Sequence, residues 1–346
     1  MNMKSLTINV IAIAAVIIMT ASPSFGQESP AAPFVGRWAL DLDYGNSKAG
    51  WLEVRQENGY LDADILWRWG SVYPVDYTMI FNGNLLLVNG RDVVRKKDEA
   101  GKALRTQHVV EWRDVEMDGK DKIRGTAIFP AEDGIEYESV SFTGKRIPPP
   151  GKAPDLSKIR YGKTVELFNG RNLKGWELLE PNAHNGWKVV DGVLENDPVQ
   201  KEGEAHIAYG NLRTTDTFED FNLSLEVNVP AGSNSGVYLR GIYEVQVMDS
   251  YGKDLDPHNM GALYSRITPS ASAEKPAGEW QTMDITLYKR YLTVVLNGKT
   301  IINNQMVKGV TGGALSADEF TPGPIYLQGD HGKVSYRNLV LKPILE

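Results

Sequence analysis

The sequence predicts an all-β chain in two parts, an N-terminal antiparallel meander with barrel-like spacing followed by a jelly-roll β-sandwich. Three observations lead there. Short runs of alternating apolar and polar residues recur from Phe34 onward, punctuated by Asn82-Gly83, Asp118-Gly119, Asp133-Gly134 and Asn297-Gly298, the pattern of half-buried strands joined by tight turns. No stretch of either part carries a convincing helical period. Finally, Ile147-Pro148-Pro149-Pro150-Gly151 interrupts the alternation, and 346 residues are too many for one ordinary core; consecutive prolines cannot join a central strand and favour an extended spacer.

In chain order, residues 1–26 read as an export signal: Lys4 gives a positive start, 8–21 an apolar run, and Ser22-Pro23-Ser24-Phe25-Gly26 small residues for cleavage before Gln27. The competing reading, a membrane anchor, is opposed by a run short for a bilayer and by the breakers that follow it. The mature protein is therefore expected outside the cytoplasm, periplasmic or secreted, and off the membrane. There is no cysteine, which excludes a lipidated cysteine (hence no lipoprotein), disulfides, a cysteine nucleophile and a thiolate zinc site.

Residues 27–146 form the first domain, with strands expected at 51–55, 60–69, 76–81, 84–88, 106–112, 122–129 and 137–142. So many evenly spaced strands suit one closed or strongly curved sheet, and Gly36-Arg37-Trp38 is similar to the G-x-W that opens lipocalin-like barrels. Residues 147–159 make the proline-rich linker, and 160–346 the second domain, with strands at 187–190, 221–229, 236–240, 243–248, 280–288, 291–296, 324–328 and 333–341. Many strands with long loops imply two stacked sheets.

The net charge of −7 and the absence of a Lys/Arg block argue against nucleic acid or an anionic membrane as partner. Eight Trp and fifteen Tyr suit a small neutral carbohydrate, whose C–H face stacks on aromatic rings; the sequence names no protein partner. It contains no G-x-S-x-G elbow, P-loop, dinucleotide fingerprint or H-E-x-x-H, so no organic cofactor is expected.

Two stretches hold candidate chemistry. In Asn234 to Asp249, alternation sends Val237, Leu239, Val245 and Val247 to the core and projects Tyr238, Arg240, Glu244 and Gln246 together on the other face. A solvated sheet face has the same pattern, so both readings stand at this level. In Leu327-Gln328-Gly329-Asp330-His331-Gly332, two glycines bracket an ionisable pair. That pair is either an ordinary turn or an acid/base or metal-binding element. Asp249, Asp254, Asp256 and His258 form an acidic loop with no EF-hand spacing, and His184 and His206 stand alone.

Several ordered motifs then carry a resemblance: Phe168-Asn169-Gly170-Arg171-Asn172-Leu173-Lys174-Gly175-Trp176, Asn234 to Gly241, Tyr243 to Gln246, Gly261-Ala262-Leu263-Tyr264, Gly278-Glu279-Trp280, Leu296-Asn297-Gly298 and Leu327 to Gly332 with Tyr336-Arg337-Asn338. Together they resemble the 3-keto-disaccharide hydrolase domain family over residues 160–346. Gln281 stands where the family usually has asparagine, and one residue is inserted in its L-Q-x-H-G motif. The resemblance implies a concanavalin-A-like sandwich that cleaves glycosides of C3-oxidised sugars by removing the C2 proton and expelling the C1 group, with or without water addition. It implies His331 as base, with Glu244 as competing base or metal ligand. Arg240, Gln246, Tyr238, Tyr264, Trp280 and Gln328 become substrate contacts, and one divalent metal could be held among Asp249, Asp330, Glu244 and His331. The alternatives are a two-carboxylate glycosidase using Glu244 and Asp249, and a non-catalytic carbohydrate-binding module.

Overall fold

The computed structural model describes residues 29–45, 48–131, 134–200 and 205–345. The export signal read in 1–26, and Asp133 of one expected turn, lie outside the described residues. Strands β1 (Gly36–Leu42), β2 (Ala49–Gln56), β3 (Leu61–Trp67), β4 (Tyr73–Pro74), β5 (Tyr77–Phe81), β6 (Asn84–Lys97), β7 (Ala103–Met117), β8 (Lys122–Pro130) and β9 (Tyr137–Ile147) make one antiparallel sheet ordered β4-β3-β2-β1-β9-β8-β7-β6-β5. Each strand pairs with its chain neighbours except β4 and β5, which do not pair with each other, and β1 also pairs with β9, Trp38 opposite Arg146. First strand thus meets last, and the meander curls into a barrel split between the short strands β4 and β5. Short edges limit the unpaired backbone left on show.

Alternation sets what each barrel strand does. Trp38, Leu40 and Leu42 of β1 and Leu52 and Val54 of β2 fill the barrel interior. Trp51 and Leu66 point outward and join, with Ala49 and Ile147, the apolar core of the second domain. The two parts therefore share one continuous apolar contact, and the Arg266 guanidinium lies 4.2 Å above the Trp51 ring across it. The Gly36-Arg37-Trp38 motif has a structural task. Trp38 Nε1 donates to Phe34 O at 2.8 Å, while Arg146 covers the ring at 4.1 Å and donates to Val35 O and Pro33 O. The segment before β1 is pinned to β9.

The second part contains β10 (Arg160–Tyr161), β11 (Val165–Glu166), β12 (Trp176–Leu178), β13 (Trp187–Val190), β14 (Val193–Asn196), β15 (Leu212–Thr214), β16 (Phe221–Asn228), β17 (Asn234–Leu239), β18 (Tyr243–Met248), β19 (Trp280–Tyr288), β20 (Tyr291–Leu296), β21 (Lys299–Met306), β22 (Tyr326–Leu327) and β23 (Val334–Leu345). They stack as a jelly-roll-type sandwich. The larger sheet runs β13-β14-β23-β16-β19-β20-β21, with β10 and β11 also on β23, and the smaller runs β12-β15-β22-β17-β18. Val237, Leu239, Val245, Val247 and Leu327 of the smaller sheet meet Leu223, Leu225, Ile285 and Val294 of the larger in the core. The opposite face of the smaller sheet is left for other use. The sole helical element among the described residues is a single 3-10 turn at Leu156–Lys158; none is long and apolar enough to cross a membrane.

Candidate active site

Strands β17 and β18 form a hairpin in which Tyr238 pairs with Glu244 and Gly236 with Gln246. Because Val237 and Val245 point into the core, Tyr238, Glu244 and Gln246 share the outer face. β22 lies on the other side of β17, so the same period brings Tyr326 and Gln328 to that face. A cavity of about 930 Å³ opens over it, lined by these five residues and by Asn234, Asn211, Tyr264, Asp330 and His331, with loops 179–182 and 312–315 as walls. Two other hollows, about 710 Å³ at the barrel and about 530 Å³ between barrel and sandwich, contain none of the predicted site residues.

Glu244 lies at the floor. It is 4% exposed, and burial pushes its carboxyl up to about 8, against the lowering effects of the Tyr238 hydrogen bond and the His331 charge. Tyr238 Oη lies 2.9 Å from Glu244 Oε2 and 2.8 Å from Gly312 O. A hydroxyl has one proton and a carbonyl only accepts, so a proton on Glu244 lets both contacts be hydrogen bonds at once. The Gln246 amide, turned so that its nitrogen donates to Ser235 O at 3.1 Å, reaches Glu244 Oε1 at 3.3 Å. Space for the carboxyl comes from Gly236, since a Cβ there would stand 2.3 Å from Glu244 Oε1. The Tyr238 ring is stacked on Tyr326, with centroids 3.8 Å apart, which fixes the phenol that holds the acid.

At the rim, His331 Nδ1 and Asp330 Oδ1 are 2.6 Å apart. This hydrogen bond, with the charges of Asp330 and Glu244, raises the His331 ring above its ordinary range despite partial burial. Burial works against ionised Asp330 too, but His331 outweighs it and holds the carboxyl low. An aspartate on Nδ1–H leaves Nε2 as the nitrogen that can take a proton. The glycines around the pair serve close approach rather than flexibility: a Cβ on Gly329 would stand 2.3 Å from Gly210 O, and one on Gly332 2.4 Å from Ser233 Oγ. Buried Asn196 clamps the turn, donating to Gly329 O and Gly332 O at 2.8 and 3.3 Å.

Seven predicted residues thus meet in one cavity: Tyr238, Glu244, Gln246, Tyr264, Gln328, Asp330 and His331. Three do not. Arg240 follows β17 in the left-handed region, φ 55°, which breaks the alternation. Its buried guanidinium donates to Glu319 O and Thr321 O at 2.8 and 2.7 Å, holding a loop instead of facing the cavity. Trp280 begins β19 of the other sheet, under the Arg337 guanidinium at 4.0 Å. Asp249 follows β18 and accepts from Gly232 N at 3.0 Å. Without Asp249 the two-carboxylate pair is not assembled. The proposed metal set is not assembled either: among the described residues no three histidine or acidic side chains are grouped to hold an ion. Of that set Glu244, Asp330 and His331 line the cavity and Asp249 does not.

Sequence reading missed Tyr326, Asn234, Asn211 and the loop walls. Tyr326 had a signal, sitting two residues before Gln328 and so on the same face; Asn234 opened a motif that was noticed. The barrel residues Trp69 and Gly70, which also line the cavity, had none, because their approach depends on how the two parts dock.

A buried acid and an aspartate–histidine pair thus share one polar, aromatic-walled cavity on a β-sandwich, the arrangement of a candidate active site. The family follows from the chain itself. Residues 163–342 match the 3-keto-alpha-glucoside-1,2-lyase-like domain, and the chain belongs to that family. It is 27% identical over 154 residues to a 3-keto-disaccharide hydrolase of Bacteroides thetaiotaomicron, covering 36% of this chain and 52% of the relative, so the match spans about half of that protein's length. Two solved structures from Parabacteroides distasonis, assigned as glycosyl hydrolases, overlap at a TM-score of 0.44 each. One is 25% identical, over 62% of this chain and 96% of its own; the other is 20% identical, over 53% and 94%. The barrel strands precede the matched segment.

Proposed function

We propose that the protein cleaves glycosides of sugars oxidised at C3, by elimination across C1 and C2 followed by water addition. The observation that carries this reading is the union, in one cavity of a chain from this family, of a carboxyl pushed up to about 8 and an aspartate-bound histidine. Elimination needs a base at the C2 proton and a proton donor at the leaving oxygen, whereas direct hydrolysis needs a carboxyl pair flanking the C1–O bond, which the cavity does not assemble around Glu244 and Asp249.

The ketone at C3 acidifies the C2 proton. Neutral His331 takes that proton at Nε2, Asp330 steadying the resulting imidazolium, and the C2–H electrons pass into the enolate of C3. As the enolate returns to a ketone, C1=C2 forms and the C1–O bond breaks, and Glu244 gives its proton to the departing oxygen. Water then adds in the reverse sense: Glu244 carboxylate takes a proton from the water whose oxygen joins C1, and His331 returns its proton to C2. Both groups end as they began, and the net result is hydrolysis. If the unsaturated sugar leaves first, the outcome is that of a lyase. The amides of Gln246, Asn234 and Gln328 hold sugar oxygens and hydroxyls; Gln328 Oε1 is buried without a partner, a state a substrate hydroxyl relieves. No step here is routed through a metal.

The test offers purified protein a 3-keto-glucoside and its unoxidised parent and follows release of the C1 group. Cleavage confined to the keto compound, with exchange of the C2 hydrogen into solvent, supports the reading. Cleavage of the parent, or saturable binding with no cleavage of either, overturns it.

A further inference from the structure

The sandwich does not complete its cavity alone. The turn between β3 and β4 carries Trp69 and Gly70 from the barrel to the cavity wall, facing loops 179–182 and 312–315. Trp69 is 61% exposed, an unusual position for the largest apolar side chain on a surface turn. Its orientation is built. The Arg68 guanidinium lies 4.4 Å from the Trp69 ring and 3.7 Å from that of Tyr44, so tyrosine, guanidinium and indole are associated in one group. Arg68 adopts the left-handed region at φ 71°, and Gly70 at φ 74°. A non-glycine residue held there is uncommon and needs surrounding contacts to keep it.

Those contacts tie the turn to the sandwich. Gly313 N donates to Arg68 O at 3.2 Å, Val72 N donates to Ser265 Oγ at 2.7 Å, and Ser71 Oγ is 2.8 Å from His258 Nε2. A Cβ on Gly312 would come within 2.2 Å of Gly70 O, so backbone meets backbone at the edge of the cavity. The same Gly312 carbonyl receives Tyr238, the partner of Glu244.

The cavity volume of about 930 Å³ is near the upper end of the roughly 300–1,000 Å³ of small-molecule sites, room for more than the one ring that is processed. From this we infer that Trp69 forms a stacking platform for the ring attached at C1, making the barrel a specificity element for the leaving group. This rests on the keto-glycoside reading. Its ligand chemistry is a flat ring face rich in C–H or π surface, either a second pyranose or an aryl group.

The experiment compares wild type, Trp69→Ala and Trp69→Tyr on three compounds: a 3-keto-disaccharide, a 4-nitrophenyl 3-keto-glucoside and the methyl 3-keto-glucoside, which has no second ring. A parallel calorimetric titration uses the unoxidised disaccharide. Trp69→Ala is expected to lower kcat/KM for the ring-bearing compounds relative to the methyl glycoside by about tenfold, the discrimination a single apolar contact commonly supplies, with Trp69→Tyr restoring most of it. A larger effect on the disaccharide identifies a sugar ring as the natural occupant; a larger effect on the nitrophenyl compound identifies an aryl one. An unchanged ratio between ring-bearing and methyl compounds overturns the platform while leaving the reaction standing. If the wild type cleaves none of the three, the catalytic reading is overturned. In that case the calorimetry alone decides Trp69: weaker disaccharide binding in Trp69→Ala supports the platform, and unchanged binding overturns it.

Discussion

Glu244 offers the most direct test of the site, because the feature that suits it to donate a proton also destabilises the fold. In the unfolded chain its carboxyl ionises near the ordinary 4.5; in the folded chain burial pushes it up to about 8. Between those values the native state holds a proton that the unfolded state has lost. Stability from this group is therefore fully present below pH 4.5 and is lost as pH rises through about 8. The whole difference corresponds to on the order of 5 kcal/mol, at about 1.4 kcal/mol per pH unit. Other groups titrate over the same range, so the informative quantity is the difference between wild type and Glu244→Gln. Glutamine has nearly the same shape and cannot ionise. Its amide nitrogen can donate to Tyr238 Oη as the protonated acid does, while Tyr238 keeps its bond to Gly312 O.

Denaturant unfolding of both proteins from pH 5 to pH 9 should give curves that nearly coincide at the acid end and diverge by several kcal/mol at the alkaline end, the variant being the more stable. On a 3-keto-glucoside the same variant should lose about 10² to 10⁴ in kcat, the usual worth of a positioned proton donor, with little change in KM. A difference curve flat in pH would refute the buried protonated carboxyl. Full activity in Glu244→Gln would refute its role as acid even if the stability result held.

Four further outcomes follow from the same geometry. The profile of kcat/KM against pH should be a narrow bell, its acid limb above the ordinary histidine range because His331 must be neutral and is raised by Asp330, its alkaline limb near 8 where Glu244 loses its proton; a rate still rising at pH 9 would contradict the assignment. His331→Ala should abolish turnover with the unfolding midpoint little changed, and Asp330→Asn should lower kcat and move the acid limb to lower pH, so an unmoved limb would remove Asp330 as the partner that tunes the base. Gly236→Ala puts a methyl 2.3 Å from Glu244 Oε1, which should destabilise the fold by about 1–3 kcal/mol and lower kcat at least tenfold, measured by unfolding and by rate; wild-type values for both would mean the carboxyl has room to move.

Where apolar and polar residues alternated along a strand, the sequence was legible. β13, β18, β19 and β20 fall at the expected residues, and the period of two on β17 and β18 was enough to bring Tyr238, Glu244 and Gln246 together. Legibility failed where alternation loses its physical cause. β6 and β7 run to Lys97 and begin at Ala103, well beyond expectation, because the far end of that hairpin is exposed on both faces and its residues Arg91 to Lys97 carry no apolar stripe. The short strands β10, β11, β12 and β15 have two or three residues each, too few to show a period. Arg240 was misplaced because alternation was extended one residue past the strand, into the turn where φ becomes positive. Trp280 was misplaced for a different reason: proximity of motifs in a list of resemblances does not say which sheet each belongs to.

The two parts of the chain bear on each other through one narrow band. Gly312 carries the carbonyl that Tyr238 bonds, and its α-carbon sits against the backbone of Gly70 in the barrel turn. Tyr238 in turn touches Glu244. Displacing the barrel turn therefore acts on the proton inventory of the floor as well as on the wall beside the leaving group. If Gly312 withdrew its carbonyl, the Tyr238 proton would be free for Glu244, an ionised carboxylate would be better tolerated, and less of the acid would hold its proton at neutral pH. The docking of a barrel outside the matched family segment is thus connected, by a single hydroxyl, to the ionisation of the buried acid on which the proposed chemistry depends.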